Sequence, residues 1–269
     1  MKTKLKKYIP SALGYKIKEI RQKILGFYYS GTNYYCPFCK KSFRKMLPGG
    51  SKHPVLEEKQ IIGSGYRQNC VCPRCLSTDR DRLIFLYLKE KTNIYSEKLK
   101  VLHISPSISL KKFISSLPNI DYTTGIKYHE GFYYSKNTAI LDITDIPFKN
   151  NEFDIIICNH VLEHIPDDKK AMTELFRVLK PEGWAIIQVP ISHILKTTYE
   201  DKNITTTKER EKYFGQFDHV RIYGQDYMKR LEDVGFKVET HNPNKENWGI
   251  SDITKYAINP DEDIFIARK

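Results

Sequence analysis

The chain has 269 residues, 40% of them hydrophobic, enough for one large domain with a full core and a small domain beside it. Its 44 Lys and Arg against 32 Asp and Glu leave a net charge of +12, which favours anionic partners without choosing among nucleic acid, membrane surface and phosphorylated substrate. No run of about 18 apolar residues is present, and the basic start MKTKLKKYIPSALGYKIKEI lacks the apolar core of a secretory leader, so a cytoplasmic protein without a transmembrane segment is expected.

In residues 1–33, Ile17, Ile20, Ile24 and Phe27 recur at spacings of three and four between Lys16, Lys18, Arg21 and Lys23, which predicts a basic amphipathic helix ending near Gly26. Eight Lys or Arg and one Glu in residues 1–25 put +7 of the charge here. Two readings fit: a helix docked on the body with a solvated basic face, or a peripheral contact with a membrane surface or polyanion.

Residues 34–76 hold five of the six cysteines. Cys36-Pro37-Phe38-Cys39 and Cys72-Pro73-Arg74-Cys75 are two C-x-x-C knuckles, 32 residues apart. Each presents two thiolates from a tight turn, and together they make a closed tetrahedral Zn²⁺ site of the zinc-ribbon kind, which supports folding and does not catalyse. A hairpin in the intervening stretch is needed to join them, and a redox dithiol is the competing reading. Cys70 reads as a swapped ligand or a spare apolar residue, and Cys158 as a buried strand residue. In residues 77–99, Ser77 and Thr78 are candidate caps for a linking helix through Leu88, with Leu83, Ile84, Leu86 and Tyr87 as its apolar face.

From residue 100 to 269 strands alternate with helices. KVLHI, DYTTGI, TAILDI, FDIIICN and WAIIQVP read as strands, and LKKFISSL, DDKKAMTELFRVL and DYMKRLEDVGF as helices, the last ending at Gly235. Continuous apolar runs such as Ile155, Ile156, Ile157 and Cys158 belong to strands covered on both faces, so an α/β doubly wound, mostly parallel sheet is expected. Lys180 to Gly183 are expected to stop a helix before Trp184, and KVETH and DIFIARK to close the sheet as an antiparallel edge. The connection from Ile191 to Tyr223, bearing Lys196, Tyr199, Arg210 and Arg221, reads either as a lid that pairs with an anionic acceptor or as a solvated insert.

Residues 153–190, FDIIICNHVLEHIPDDKKAMTELFRVLKPEGWAIIQVP, closely resemble the strand-four-to-strand-five segment of S-adenosylmethionine-dependent methyltransferases of the Rossmann-like class, type 11-like. With CPFC, RQNCVCPRC-STDRDRLIFLYL and FGQFDHVRIYGQDYMKRLEDVGF, residues 34–269 resemble a subgroup with an N-terminal zinc ribbon. The resemblance implies a seven-stranded sheet of order 3-2-1-4-5-7-6, its last strand antiparallel, with S-adenosylmethionine across the carboxyl ends of the first strands. It places cofactor contacts at the turn His103-Ile104-Ser105-Pro106-Ser107, which has no glycine, and at Gly125, where relatives have an acid nearby and this chain has Glu130. Asp142 with Ile143 matches the adenine position, and Asn159, His160 and Val161 the methionine portion.

His160, Glu163 and His164 then fall where an acceptor enters, and Asp218-His219 sits in the long connection. A neutral imidazole is a suitable base for a hydroxyl acceptor, which makes His160, His164 and His219 the catalytic candidates. The expected function is O- or N-methylation of a small-molecule or carbohydrate-linked acceptor. Two alternatives are an RNA methyltransferase gripping phosphate with its ribbon and a non-catalytic binding module with a degenerate cofactor loop. Nucleic acid is disfavoured because residues 34–76 lack a dense basic run and no N-P-P-Y pattern follows the fourth strand.

Overall fold

The computed structural model describes residues 11–127 and 137–269, with side chains from residue 17 onward; Glu130 and the first ten residues lie outside the described part. Helix α1 (Ser11–Tyr28) runs through Gly26 instead of ending there. Gly26 is buried against the Arg74 side chain, and Gln22 and Leu25 on the same side are half-covered. The apolar stripe points the other way, with Ile17, Ile20, Ile24 and Phe27 exposed by 50, 56, 63 and 83%. From residue 17 on, the helix thus docks through Gln22, Leu25 and Gly26 and presents Ile17, Ile20, Ile24 and Phe27 outward.

Strand Ser30–Cys36 pairs antiparallel with Lys41–Phe43, and Leu47–Gly49 pairs with Arg67–Val71. The second pair brings the two knuckles together as the spacing required. Between them lie a short helical turn, Pro54–Glu58, and Ile61–Ile62. Helix α2 (Asp79–Lys91) begins in a capping box between Thr78 and Asp81. Its buried Leu83, Ile84, Leu86 and Tyr87 pack into the core of the large sheet, so it covers the sheet as well as linking the two regions.

That sheet contains β1 (Leu99–Ile104), β2 (Ile120–Ile126), β3 (Thr138–Ile140), β4 (Phe153–Asn159), β5 (Leu179–Gln188), β6 (Lys237–His241) and β7 (Ile264–Arg268). Its order is β3-β2-β1-β4-β5-β7-β6; the first four pairings are parallel and the two involving β7 antiparallel. Helices α3 (Ile108–Ser115), α4 (Asp168–Val178) and α6 (Tyr227–Glu232) join the strands, and α5 (Thr207–Phe214) lies in the long connection. Alternation sorts the core into two layers: Leu102, Ile104, Ile156, Cys158 and Ile187 face α4 and α6, while Val101, Ile155, Ile157, Ile186 and Ile266 face α2 and α3.

Lys180 to Gly183, expected as a helix stop, instead form a bulge inside β5: the register shifts between Leu179 and Trp184, and Glu182 has φ +62. The connection from Ile191 to Tyr223 is built structure, not a solvated insert. Ile191–Ser192 pairs with Ile61–Ile62, Tyr199–Glu200 pairs with Arg221–Ile222, and Phe214 and Ile222 pack on Val55 and Leu56. Among the described residues no helix is long and apolar enough to cross a membrane.

Candidate functional site

Two cavities adjoin at the carboxyl ends of the parallel strands. The smaller, about 310 Å³, is lined by Ile104 and Ser105 after β1, Ile126 and Lys127 after β2, Leu141 to Thr144 after β3, and Val161 and His164 to Asp167 after β4. Ser105 adopts φ +48 and its N–H donates to the Gly125 carbonyl, so this serine takes the left-handed turn for which glycine is the easy residue. Asp142 Oδ1 accepts from the Thr144 N–H and hydroxyl, both at 2.8 Å, and these bonds hold its carboxyl below the ordinary range.

The larger cavity, about 650 Å³, lies between the cysteine-rich region and the long connection. Its walls include Ser51, Arg67 and Arg80 on one side, His160, Glu163 and His164 after β4, and Gln216, Phe217 and His219 opposite. His164 lines both cavities.

Burial sets the electrostatics here. Glu163 is 2% exposed and pushed up to about 8 by desolvation; its Oε1 lies 3.2 Å from His160 Nδ1, and its Oε2 has no partner. His160, with φ +54, is driven well below its ordinary value by burial, with Arg80 and Arg67 adding to the effect. Burial brings His219 down to about 4, with the neighbouring His164 adding to the effect. His164 Nδ1 lies 3.2 Å from Asp218 Oδ2 but without hydrogen-bond geometry. Burial therefore favours the uncharged forms of His160, His219 and Glu163, and a neutral imidazole is able to accept a proton.

Of the residues expected at the cofactor, Ser105, Asp142, Ile143 and Val161 line the smaller cavity and His160 lines the larger one. His103 lines neither: it is 1% exposed inside the sheet with Nδ1 3.0 Å from Tyr122 Oη. Ser107 caps α3 through Leu110 N–H, Gly125 packs under Leu141 and Ile104, and Asn159 ends β4 with a buried, unpartnered Oδ1. His160, His164 and His219 come together as expected. Two of the four residues expected to pair with an anion are engaged elsewhere: Arg221 spends its guanidinium on the Leu162, Ile165 and Pro166 carbonyls and Glu200, and Tyr199 stacks on Phe214.

Sequence reasoning missed Arg80, which donates to the Gly63 carbonyl at the cavity wall, and Glu262, buried beside Gly63. The available signal was the Arg80-Asp81-Arg82 run after the second knuckle.

Cys36, Cys39, Cys72 and Cys75 place all four sulfurs within 4.8 Å of one another, with Cys36 to Cys75 at 3.5 Å and Cys39 to Cys72 at 3.7 Å. The Ser77 hydroxyl lies 3.2 and 3.3 Å from Cys36 and Cys75. Cys70 stands apart, bonded to the Arg67 carbonyl.

Residues 119–187, from the start of β2 through most of β5, match the family described as Methyltransferase domain. An uncharacterised Methanocaldococcus jannaschii protein is 33% identical over 35% of this chain and 42% of its own length. The demethylmenaquinone methyltransferase of Staphylococcus carnosus is 47% identical over 17% of this chain and 19% of its own. A ubiquinone/menaquinone biosynthesis C-methyltransferase of Francisella tularensis subsp. novicida is 30% identical over 36% and 44%. The chain thus spans less than half the length of each of these relatives. A SAM-dependent methyltransferase structure from Archaeoglobus fulgidus aligns over 72% of this chain and 95% of its own, with 13% identity and a TM-score of 0.45. Residues 119–187 thus carry the match to a methyltransferase domain, and two of these relatives are named methyltransferases.

Proposed function

We propose that the protein transfers a methyl group from S-adenosylmethionine to an oxygen or nitrogen of a small-molecule or carbohydrate-linked acceptor. The observation that carries this reading is the shared wall: His164 belongs both to the cavity at the sheet's carboxyl edge and to the larger cavity beside it. The residues fit the cofactor, since Ser105 takes the left-handed turn after β1 on the cavity wall and Asp142 is held ionised next to Ile143. When bound, S-adenosylmethionine supplies an already activated methyl, so alignment of the acceptor provides much of the acceleration. The neutral ring of His219 or His160 then accepts the acceptor's proton. Isothermal titration with S-adenosylmethionine and its demethylated product tests the reading, and absence of binding at millimolar ligand rejects it.

The four cysteines support a structural Zn²⁺. Zn–S bonds of about 2.3 Å set tetrahedral sulfurs about 3.8 Å apart, close to the 3.5 and 3.7 Å found for two of the pairs. Metal analysis should give zinc in the wild type and in Cys70→Ser, and none in Cys39→Ser.

For α1 we infer contact with an anionic lipid surface. Its apolar stripe faces away from the body, and the +7 of residues 1–25 complements acidic headgroups.

A further inference from the structure

The larger cavity contains a second group of metal-ligating side chains, apart from the four cysteines. One carboxylate oxygen or ring nitrogen from each of Glu163, His164 and His219 lies within 4.8 Å of the others. We propose that these three residues bind one divalent transition-metal ion, of the class of Fe²⁺, Mn²⁺ or Zn²⁺, on the acceptor side of the cavity. The ion's role there rests on the methyltransferase reading; its binding does not.

Four observations carry the site. Two imidazoles and one carboxylate are the donor set that such ions take when they keep coordination positions open for water or substrate. Glu163, 98% buried by its 2% exposure, has Oε2 without any partner, which is costly for a buried polar atom unless something absent from the protein itself occupies that direction. His164 Nδ1 makes no hydrogen bond either, although Asp218 Oδ2 lies 3.2 Å from it. Outer partners that orient ligands are also in place: His160 Nδ1 lies 3.2 Å from Glu163 Oε1, and Asp218 Oδ2 lies 3.2 Å from His164 Nδ1.

Metal–ligand bonds near 2.1 Å bring neighbouring donor atoms to about 3 Å, so the triangle must contract. Side-chain rotation does this, and His164, the least buried of the three, opens onto both cavities. With three protein ligands the ion retains positions facing the 650 Å³ space. With the ion bound, His219 serves as a ligand and the neutral His160 ring takes the proton, which an acceptor hydroxyl on the ion gives up more readily because the cation stabilises the alkoxide. That assigns the acceptor a chelating oxygen function: a hydroxyl beside a second oxygen, as in a diol, a hydroxy acid or a sugar.

The test uses the full chain with its cysteine zinc retained. Mn²⁺ is titrated in and the free-ion signal followed by electron paramagnetic resonance, with total zinc and manganese measured on the same samples. One equivalent of Mn²⁺ per chain is expected, weakened about tenfold or more in His219→Ala and in Glu163→Gln, each still holding its cysteine zinc and melting cooperatively. No Mn²⁺ bound by the wild type, or binding that both variants retain, overturns the site. Titration of the demethylated cofactor product on the same preparation separates the two readings. Its binding without Mn²⁺ uptake rejects the ion alone, and Mn²⁺ uptake without its binding rejects the methyltransferase reading alone.

Discussion

His164, on the turn after β4, and His219, in the connection after β5, stand edge to face with ring centroids 4.7 Å apart. The first borders both cavities and the second only the larger. A substitution at each should therefore separate acceptor chemistry from cofactor binding.

His219→Ala should lower methyl-transfer turnover by roughly 10²- to 10⁴-fold, the range for loss of a positioned proton acceptor, and leave affinity for the demethylated cofactor product unchanged. His164→Ala should change both. Calorimetry paired with single-turnover kinetics checks the split, and a cofactor-binding defect in His219→Ala would show that the cavity roles are assigned wrongly.

Ser105→Gly removes a Cβ from a residue at φ +48, where a non-glycine residue costs about 1 kcal/mol. The variant should melt no earlier than the wild type and bind cofactor at least as well. Ser105→Val, β-branched at the same angle, should lose stability and cofactor affinity together. Equal behaviour of the two variants would show that the turn does not govern the pocket.

Much of the fold was legible because burial on both faces of the sheet writes itself as unbroken apolar runs: Ile155 to Cys158 could only be an interior parallel strand. The three histidines were legible through their place after β4 and in an overlong connection. His103 was misjudged because its ring sits inside the sheet against Tyr122, a contact that no local pattern announces. The bulge at Glu182 looks in sequence like any Lys-Pro-Glu-Gly helix stop, and only pairing with β4 distinguishes them. The face by which α1 docks depends on the position of Arg74, distant in sequence, and periodicity reports the stripe without saying which way it points.

Arg82 is fully buried and donates to four backbone carbonyls, those of Cys70, Ser77, Tyr256 and Ala257. Arg82→Lys supplies a point charge in place of a planar fork and cannot reach all four. With each buried carbonyl left unmade costing about 1 kcal/mol or more, the variant should lose on the order of 3 kcal/mol. Urea denaturation measures the loss; a change below about 1 kcal/mol would mean that water replaces the guanidinium.

Glu262 is buried beside Gly63 and pushed up to about 7 by desolvation. Its folded-state value lies above its unfolded one, so the stability linked to its proton is fully present below about 4.5 and is lost as pH rises through about 7. Glu262→Gln keeps the shape and removes the titration. The variant should gain on the wild type across that window, by about 1.4 kcal/mol per pH unit at most. Buried histidines contribute the opposite slope below about 6.5, but they are common to both proteins and cancel in the difference. Parallel denaturation curves from pH 5 to 8 give the result, and a pH-independent gap rejects the assignment.

The outward stripe of α1 makes the last expectation quantitative. Ile24 and Phe27 are 63 and 83% exposed, and sinking each into an interface is worth about 1.5 kcal/mol or more. Ile24→Asp with Phe27→Asp should cut binding to phosphatidylglycerol-containing vesicles on the order of 100-fold. The basic residues add an attraction that salt screens, so wild-type binding should fall with ionic strength and with replacement of the acidic lipid by phosphatidylcholine. Cofactor binding in the double variant should be unaffected, because neither residue touches either cavity. Co-sedimentation with vesicles decides it. Wild-type protein that stays in the supernatant and elutes as a dimer, converted to a monomer by the double substitution, would assign the stripe to a second copy of the chain in place of a lipid surface.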